Sequence, residues 1–139
     1  MNEYKYSDLS AGGVQASFSR TITAAMLDDF LAISGDVNPL HSDRDFAIES
    51  GYPDRVVYGM VTASLYSTLA GVYLPGKFCL LQSVHSDFLA PVFIGDTLTC
   101  EGKIVETSDA FKRIVIKAVI RNQHGKKVSR AKIEAGVLK

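Results

Sequence analysis

Apolar and polar residues follow two different spacings along this chain of 139 residues, helical in the first half and strand-like in the second. The longest helical stretch covers residues 59–72 and is apolar on nearly all sides, which is typical of a buried helix. After Pro75 and Gly76 the pattern changes to the alternation of β-strands. Five strands are predicted, the first at residues 14–22 and the others at 78–89, 97–106, 113–121 and 127–137.

Two shorter helices are predicted before the long one. Thr23 is a suitable N-cap for a helix over residues 24–33, and Gly35 can end that helix in a left-handed conformation. Asp43 is a suitable N-cap for a second helix that ends near residue 50. One apolar face of the first helix is predicted to be buried and comprises Ala25, Met26, Phe30 and Ile33.

The order of these elements predicts the fold class. Helices followed by a run of antiparallel strands favour an α+β fold over a doubly wound parallel sheet. Turn signals at Gly95-Asp96 and at residues 122–125 (NQHG) are suited to short connections between neighbouring strands. The predicted architecture is an antiparallel β-sheet wrapped around one long central helix. Because residues 1–139 contain no linker, repeat or low-complexity tract, we expect a single domain.

Composition argues against several classes of function. Fifteen basic residues balance fifteen acidic ones, so no positive field is available to attract nucleic acid or an anionic membrane. The most apolar stretch, residues 56–74, includes tyrosines, serines and threonines, which favours a buried helix over a membrane span. A local basic rim is one interpretation of six residues in the second half of the chain, and solvent-facing positions on strands are the other. These residues are Arg113, Lys117, Arg121, Lys126, Lys127 and Arg130.

The two cysteines do not indicate a metal or redox site. Cys79 and Cys100 lack metal-site spacing, and no His or Cys lies close to either in the sequence. Both lie in apolar, strand-like sequence and are predicted to be buried free thiols. With no signal segment at its start, the chain is expected in the reducing cytoplasm, without a metal or a redox cofactor.

The segment with the clearest chemical potential is residues 34–43 (SGDVNPLHSD). Asp36 and His41 flank an irregular turn in which Pro39 prevents Asn38 from continuing a helix, so both side chains can be directed to one point. A carboxylate and an imidazole at one point can polarise a single water, since histidine titrates with a pKa of about 6.5. The same residues are also common turn formers, and spacing alone does not require a catalytic role.

A second candidate site is the start of the long helix at Gly59. The first amide N–H groups of a helix have no partner within it and carry partial positive charge. Because Gly59 has no Cβ, a ligand oxygen can approach its backbone, and its N–H can stabilise a carbonyl oxygen that becomes enolate-like. A bend at the helix entry would explain this glycine equally well.

Taken together, these segments resemble the MaoC-like, (R)-specific enoyl-CoA hydratases. Residues 34–41 (SGDVNPLH) are similar to the most specific motif of that family. Weaker similarities follow in the same order at residues 58–60 (YGM), 63–65 (ASL), 74–76 (LPG), 86–92 (SDFLAPV) and 94–98 (IGDTL). The resemblance covers nearly the whole chain and implies a hotdog fold.

The resemblance also implies roles for individual residues. Asp36 and His41 would bind the water that adds syn to a trans-2-enoyl thioester, giving an (R)-3-hydroxyacyl thioester, and the Gly59 N–H would be the oxyanion donor. Asn38 and Ser67 would support this geometry. A homodimer or larger homo-oligomer is implied, with no cofactor, since CoA or the pantetheine arm of a carrier protein belongs to the substrate. Candidate pocket residues are Tyr58, Leu65, Ala70 and Phe88, although core packing explains the last three equally well.

Tyr58 departs from the family pattern, which usually has His at that position. Because the expected oxyanion donor is the following amide, this departure bears on the substrate more than on the reaction type. Three alternatives stay open: a dehydratase acting on a carrier-protein-bound intermediate, a hotdog thioesterase, and a non-catalytic acyl-thioester-binding module. The lack of Asp and Glu in residues 60–72 counts against the thioesterase, and the presence of Asp36 and His41 counts against the non-catalytic module.

Overall fold

The computed structural model describes residues 1–139, and its largest feature is an antiparallel sheet of five strands. The strands are β1 (Gln15–Thr21), β2 (Cys79–Phe88), β3 (Thr97–Ser108), β4 (Arg113–Arg121) and β5 (Lys127–Val137). Their order in space is β1-β3-β4-β5-β2, so that β1 and β2 form the two edges. All five predicted strands are confirmed.

Four helices lie between β1 and β2: α1 (Ala24–Ser34), α2 (Pro39–Ser42), α3 (Arg44–Glu49) and α4 (Gly59–Thr68). The last continues as a π-helical turn, Leu69–Tyr73. Apolar side chains of α4 and this turn form one core with the inward side chains of the sheet, among them Leu65, Leu69, Ile104, Ile116 and Ile133. The predicted α+β hotdog architecture, a sheet wrapped around a central helix, is confirmed.

A buried hydrogen-bond chain connects α4 to the sheet. The Tyr66 hydroxyl donates to Ser129 Oγ on β5 at 2.7 Å, and Ser129 donates to the backbone oxygen of Asp87 on β2 at 2.9 Å. Burial raises the pKa of Tyr66 to about 12, so its phenol stays protonated and donates at neutral pH. This chain fixes the orientation of α4 relative to β5 and β2.

Local capping signals are confirmed at both predicted short helices. Thr23 Oγ1 accepts a hydrogen bond from Met26 N at 3.4 Å, at the start of α1. Asp43 Oδ1 accepts from the backbone N–H groups of Asp45 and Phe46 at the start of α3. Gly35 ends α1 in the left-handed region, with a φ of 69°.

The predicted buried face of α1 is confirmed for Met26 and Phe30, which pack against the core, and wrong for Ala25 and Ile33, which are exposed. Ile33 is 83% exposed, whereas Leu27, which the prediction left out, is 1% exposed. The side chains of α1 that face the protein follow the spacing of one helix face and are Met26, Leu27, Phe30 and Leu31. The direction of α1 is set by its contact with α4, and that contact cannot be inferred from the apolar residues of α1 alone.

Two further details differ from the sequence predictions. The turn between Asp36 and Ser42 is not irregular throughout, because Pro39–Ser42 forms one helical turn with Pro39 in its first position. The long helix is not apolar and buried on all sides, since Met60, Ser64 and Ser67 form an exposed stripe. This stripe lies beside β2, and residues of both line one surface cavity.

Candidate active site

His41 is held by α2 and by the backbone of Val56. Pro39 occupies the first position of α2, and the Asn38 side chain caps the helix by accepting a hydrogen bond from Leu40 N at 2.9 Å. His41 Nδ1 lies 2.7 Å from the backbone oxygen of Val56. Because a carbonyl oxygen can only accept, Nδ1 carries the proton, and a neutral ring therefore leaves Nε2 as a proton acceptor.

Asp36 lies in the loop between α1 and α2, directly after Gly35. Its Oδ1 accepts a hydrogen bond from Asn38 N at 3.1 Å, so the carboxylate helps to shape the turn. The second carboxylate oxygen makes no hydrogen bond within the chain, and the residue is exposed. Asp36 therefore keeps one free acceptor oxygen.

Tyr58 contacts both Asp36 and His41. Its hydroxyl donates to the backbone oxygen of Asp36 at 2.8 Å, and its ring centroid lies 4.2 Å from that of His41. Burial, and to a smaller extent the nearby Asp36 charge, raises the pKa of Tyr58, so the phenol stays protonated. Tyr58 is 2% exposed, so both contacts are made inside the protein.

Gly59 is the first residue of α4, and its N–H has no hydrogen-bond partner within the chain. The Phe88 ring of β2 packs against it, and a Cβ added to Gly59 would lie 3.3 Å from Phe88 Cζ. The amide carries the partial positive charge of a helix start. It is therefore available as a donor to a ligand oxygen.

One cavity of about 390 Å³ brings several of these groups together. His41, Gly59 and Phe88 line it, and so does Thr62, which is one turn beyond Gly59 on α4 and 2% exposed. The remaining wall is mostly apolar and comprises Tyr52, Val56, Val57, Leu89, Ala90, Pro91, Val92 and Val128. Such a cavity is suited to an apolar chain that carries a polar group at the level of His41 and Gly59.

Other residues singled out from the sequence lie elsewhere. Tyr58 and Asp36 are not on the cavity wall, and Asn38 acts as the cap of α2. Ser67 lines a neighbouring cavity of about 520 Å³ beside β2. Leu65 and Ala70 are 4% and 1% exposed and belong to the hydrophobic core.

Sequence reasoning missed Thr62. It is a polar residue three positions after Gly59, and this spacing places both on one helix face. That spacing is the one signal in the sequence, and it points to a site only because the start of α4 at Gly59 borders a cavity.

The remaining reactive groups do not form a second centre. Cys79 and Cys100 are free, and burial raises the pKa of the Cys100 thiol to about 12, which leaves it un-ionised at neutral pH. No three His, Cys, Asp or Glu side chains cluster in a way that could hold a metal ion. None of the helices combines the length and apolar character needed to cross a membrane.

Comparison with known proteins agrees with this geometry. A family model described as "MaoC like domain" matches residues 10–126. The (R)-specific enoyl-CoA hydratase of Aeromonas caviae is 40% identical over 92 residues, which are 66% of this chain and 69% of that protein. The (R)-specific enoyl-CoA hydratase of Rhodospirillum rubrum is 36% identical over 87 residues, which are 63% of this chain and 60% of that protein.

Solved structures show the same similarity over a longer span. The unliganded R-hydratase of Pseudomonas aeruginosa superposes with a TM-score of 0.89 at 29% identity, covering 96% of this chain and 84% of that one. The family model includes the loop that carries Asp36 and His41 and the start of α4, since both lie within its matched residues 10–126. The chain belongs to the MaoC-like domain family.

Proposed function

We propose that this protein is a hydro-lyase that reversibly adds water to a trans-2-enoyl thioester, giving the (R)-3-hydroxyacyl thioester. The hydratases of A. caviae and R. rubrum support the reaction type. One observation about the site carries the proposal furthest. The bond from His41 Nδ1 to the Val56 oxygen leaves Nε2 as an acceptor in a cavity that the Gly59 amide also lines.

The chemistry follows from the proton states of these groups. The Gly59 N–H donates to the thioester oxygen and draws electron density away from C3 of the enoyl group, and one such donor contributes about 10²- to 10³-fold in rate. Asp36 is not on the cavity wall but is exposed, so we expect its free oxygen to turn toward His41 Nε2 when the substrate binds. A water held by these two groups adds its oxygen to C3, while one of its protons passes to the pair. A proton returns from the pair to C2 on the same face, which regenerates both side chains.

The assay for this function is the loss of enoyl absorbance when purified protein is mixed with crotonyl-CoA. We expect loss of the enoyl band and formation of 3-hydroxybutyryl-CoA. Release of free thiol would instead indicate a thioesterase, and binding without turnover would indicate a non-catalytic module. Parallel assays with crotonyl groups on CoA and on a carrier protein would identify the preferred carrier.

Substitution of Gly59 by Ala is expected to lower kcat/KM for crotonyl-CoA by about 10- to 100-fold. The new Cβ would lie 3.3 Å from Phe88 Cζ and would crowd the approach of the thioester oxygen to the amide. Gly71→Ala is a matched control, because a Cβ there meets no atom within 4 Å. Equal losses in the two variants would show that Gly59 has no special role.

We also propose that the protein forms a homodimer through β2. β2 is an edge strand that pairs only with β5, and it exposes apolar side chains, which native edges generally avoid. These are Leu80, Leu81, Val84 and Phe88. Pairing of β2 with the β2 of a second copy would cover this edge together with the exposed stripe of α4.

Val84→Glu is expected to convert the dimer to a monomer, because it places a charge in the pairing edge of both copies. Val84 is 38% exposed in the single chain, so the substitution does not disturb the core. Analytical ultracentrifugation of the wild type, of Val84→Glu and of Ser17→Glu on the opposite edge strand tests this. A monomeric wild type, or a dimer lost equally in Ser17→Glu, would contradict pairing through β2.

A further inference from the structure

Tyr58 contacts each of the three residues that the proposed reaction requires. Its hydroxyl donates to the Asp36 backbone oxygen at 2.8 Å, and its ring lies against that of His41, with centroids 4.2 Å apart and planes inclined by 30°. It is also the N-cap of α4, so its peptide carbon is bonded to the Gly59 nitrogen. One side chain and its backbone therefore contact the backbone of Asp36, the imidazole of His41 and the amide donor of Gly59.

The bond from Tyr58 is the one hydrogen bond that holds the loop of Asp36 to the rest of the protein. The other hydrogen bonds of residues 35–38 span four positions or fewer, such as Gly35 N to Leu31 O and Asn38 N to Asp36 Oδ1. Local bonds of this kind define the shape of a turn but not its position relative to other elements. Val37 within the loop is 75% exposed, so apolar packing does not fix that position either.

The Tyr58 ring restrains His41, just as the Tyr58 hydroxyl holds the loop of Asp36. The same ring also contacts Phe30 of α1, with ring centroids 4.8 Å apart, so Tyr58 packs against both α1 and α2. The imidazole thus has two restraints: the hydrogen bond from Nδ1 to the Val56 oxygen and the contact with this ring. The first determines which nitrogen is protonated, and the second limits rotation of the ring.

Tyr58 does not reach the substrate side of the site. It is 2% exposed and absent from the wall of the 390 Å³ cavity. Its hydroxyl hydrogen is already donated to Asp36 O, so none is left for a substrate group. A contribution from Tyr58 must therefore act through the residues that it touches.

We propose that Tyr58 is a positioning residue that sets the spacing between the Asp36 carboxylate, the His41 imidazole and the Gly59 N–H. This inference rests on the proposed hydratase function. In this role the hydroxyl of Tyr58 fixes the position of Asp36, and the ring of Tyr58 fixes the orientation of His41. Removal of the two parts of the side chain in turn separates these roles.

Tyr58→Phe removes only the hydroxyl and is expected to lower kcat for crotonyl-CoA hydration by about tenfold, with KM unchanged within about twofold, because a misplaced reacting group costs rate and not ground-state binding. Tyr58→Leu also removes the ring and is expected to lower kcat by about 100-fold. Tyr6→Phe is the matched control. It removes a tyrosine hydroxyl that donates at 2.7 Å to Asp109, on the turn after β3, and should leave kcat unchanged.

A spectroscopic measurement tests the same inference without turnover. In Tyr58→Phe, amide hydrogen exchange of residues 36–38 should accelerate, while that of β4 should not. The ring protons of His41, one of three histidines in the chain, should keep their ring-current shift in Tyr58→Phe and lose it in Tyr58→Leu.

The outcomes distinguish this inference from the function on which it rests. Wild-type kcat in Tyr58→Phe, or a raised KM at unchanged kcat, would overturn the positioning role in an active enzyme. An inactive wild type would overturn the hydratase function. In that case unchanged exchange of residues 36–38 in Tyr58→Phe would overturn the positioning role as well, and accelerated exchange would support it.

Discussion

Asp36→Asn is expected to lower kcat/KM for crotonyl-CoA hydration by about 10³-fold and to leave the fold intact. Asparagine keeps a side-chain oxygen that can accept the hydrogen bond from Asn38 N, now 3.1 Å from Asp36 Oδ1. The turn should therefore persist. What the substitution removes is the negative charge and the free oxygen that would accept a proton from water.

Asp43→Asn is the matched control for this variant. It makes the same chemical change in an aspartate seven positions away, whose Oδ1 caps α3 by accepting from the N–H groups of Asp45 and Phe46. Asparagine is an equally good N-cap, so stability and activity should both stay close to those of the wild type. Activity is followed by loss of enoyl absorbance, and folding by circular dichroism. Similar rates for Asp36→Asn and Asp43→Asn would exclude Asp36 from the chemistry.

His41→Ala is expected to lower kcat/KM by about 10²- to 10⁴-fold, because it removes the proton acceptor from the cavity. His124→Ala, in the exposed hairpin between β4 and β5, should have no effect and controls for the loss of an imidazole elsewhere. The His41 variant also leaves the Val56 oxygen without its partner, so urea unfolding should accompany the kinetics. A loss of activity that merely follows a loss of folded protein would argue against a chemical role.

The double variant Asp36→Asn/His41→Ala tests whether the two side chains act on one water. If they do, the second substitution adds little once the first has been made, as is usual for groups that work as a unit. We expect the double variant to be within about tenfold of the slower single variant. Losses that multiply would show that the two residues act in separate steps or at separate places.

Features that depend on a few neighbouring residues were predictable from the sequence. Thr23 and Asp43 are correct N-caps because capping involves only the next three residues. Gly35 is a correct helix end for the same reason, since a left-handed residue there depends on the local backbone. The alternation of apolar residues also placed all five strands, including β2, which buries none of its residues in the single chain.

Features that depend on which elements pack together were not predictable. Ile33 and Leu27 are both apolar, and only the contact of α1 with α4 decides that Leu27 is buried and Ile33 exposed. The exposed stripe of α4 was missed because an apolar sequence does not show which side another element leaves uncovered. Met60, at 60% exposure, is the clearest case.

The same distinction between local and long-range features applies to the candidate site. His41 and Gly59 were chosen on local grounds, a turn and a helix start, and both line one cavity. The contacts of Tyr58 with Asp36 and His41 depend on a hydrogen bond to Asp36 across 22 positions and on ring contacts between three elements. Such long-range contacts leave no periodic signal, so the sequence suggested a pocket residue where the structure has a buried one.

The most direct measurement of the central claim is the stereochemistry of crotonyl-CoA hydration in D₂O. If one water, held by Asp36 and His41 on one face of the enoyl group, supplies both additions, the product is (R)-3-hydroxybutyryl-CoA with deuterium at C2 in a single configuration, that of syn addition. NMR of the isolated product and chiral analysis of the released acid read both centres. An (S)-alcohol, a mixture of C2 configurations, or hydrolysis of the thioester without hydration would contradict the account.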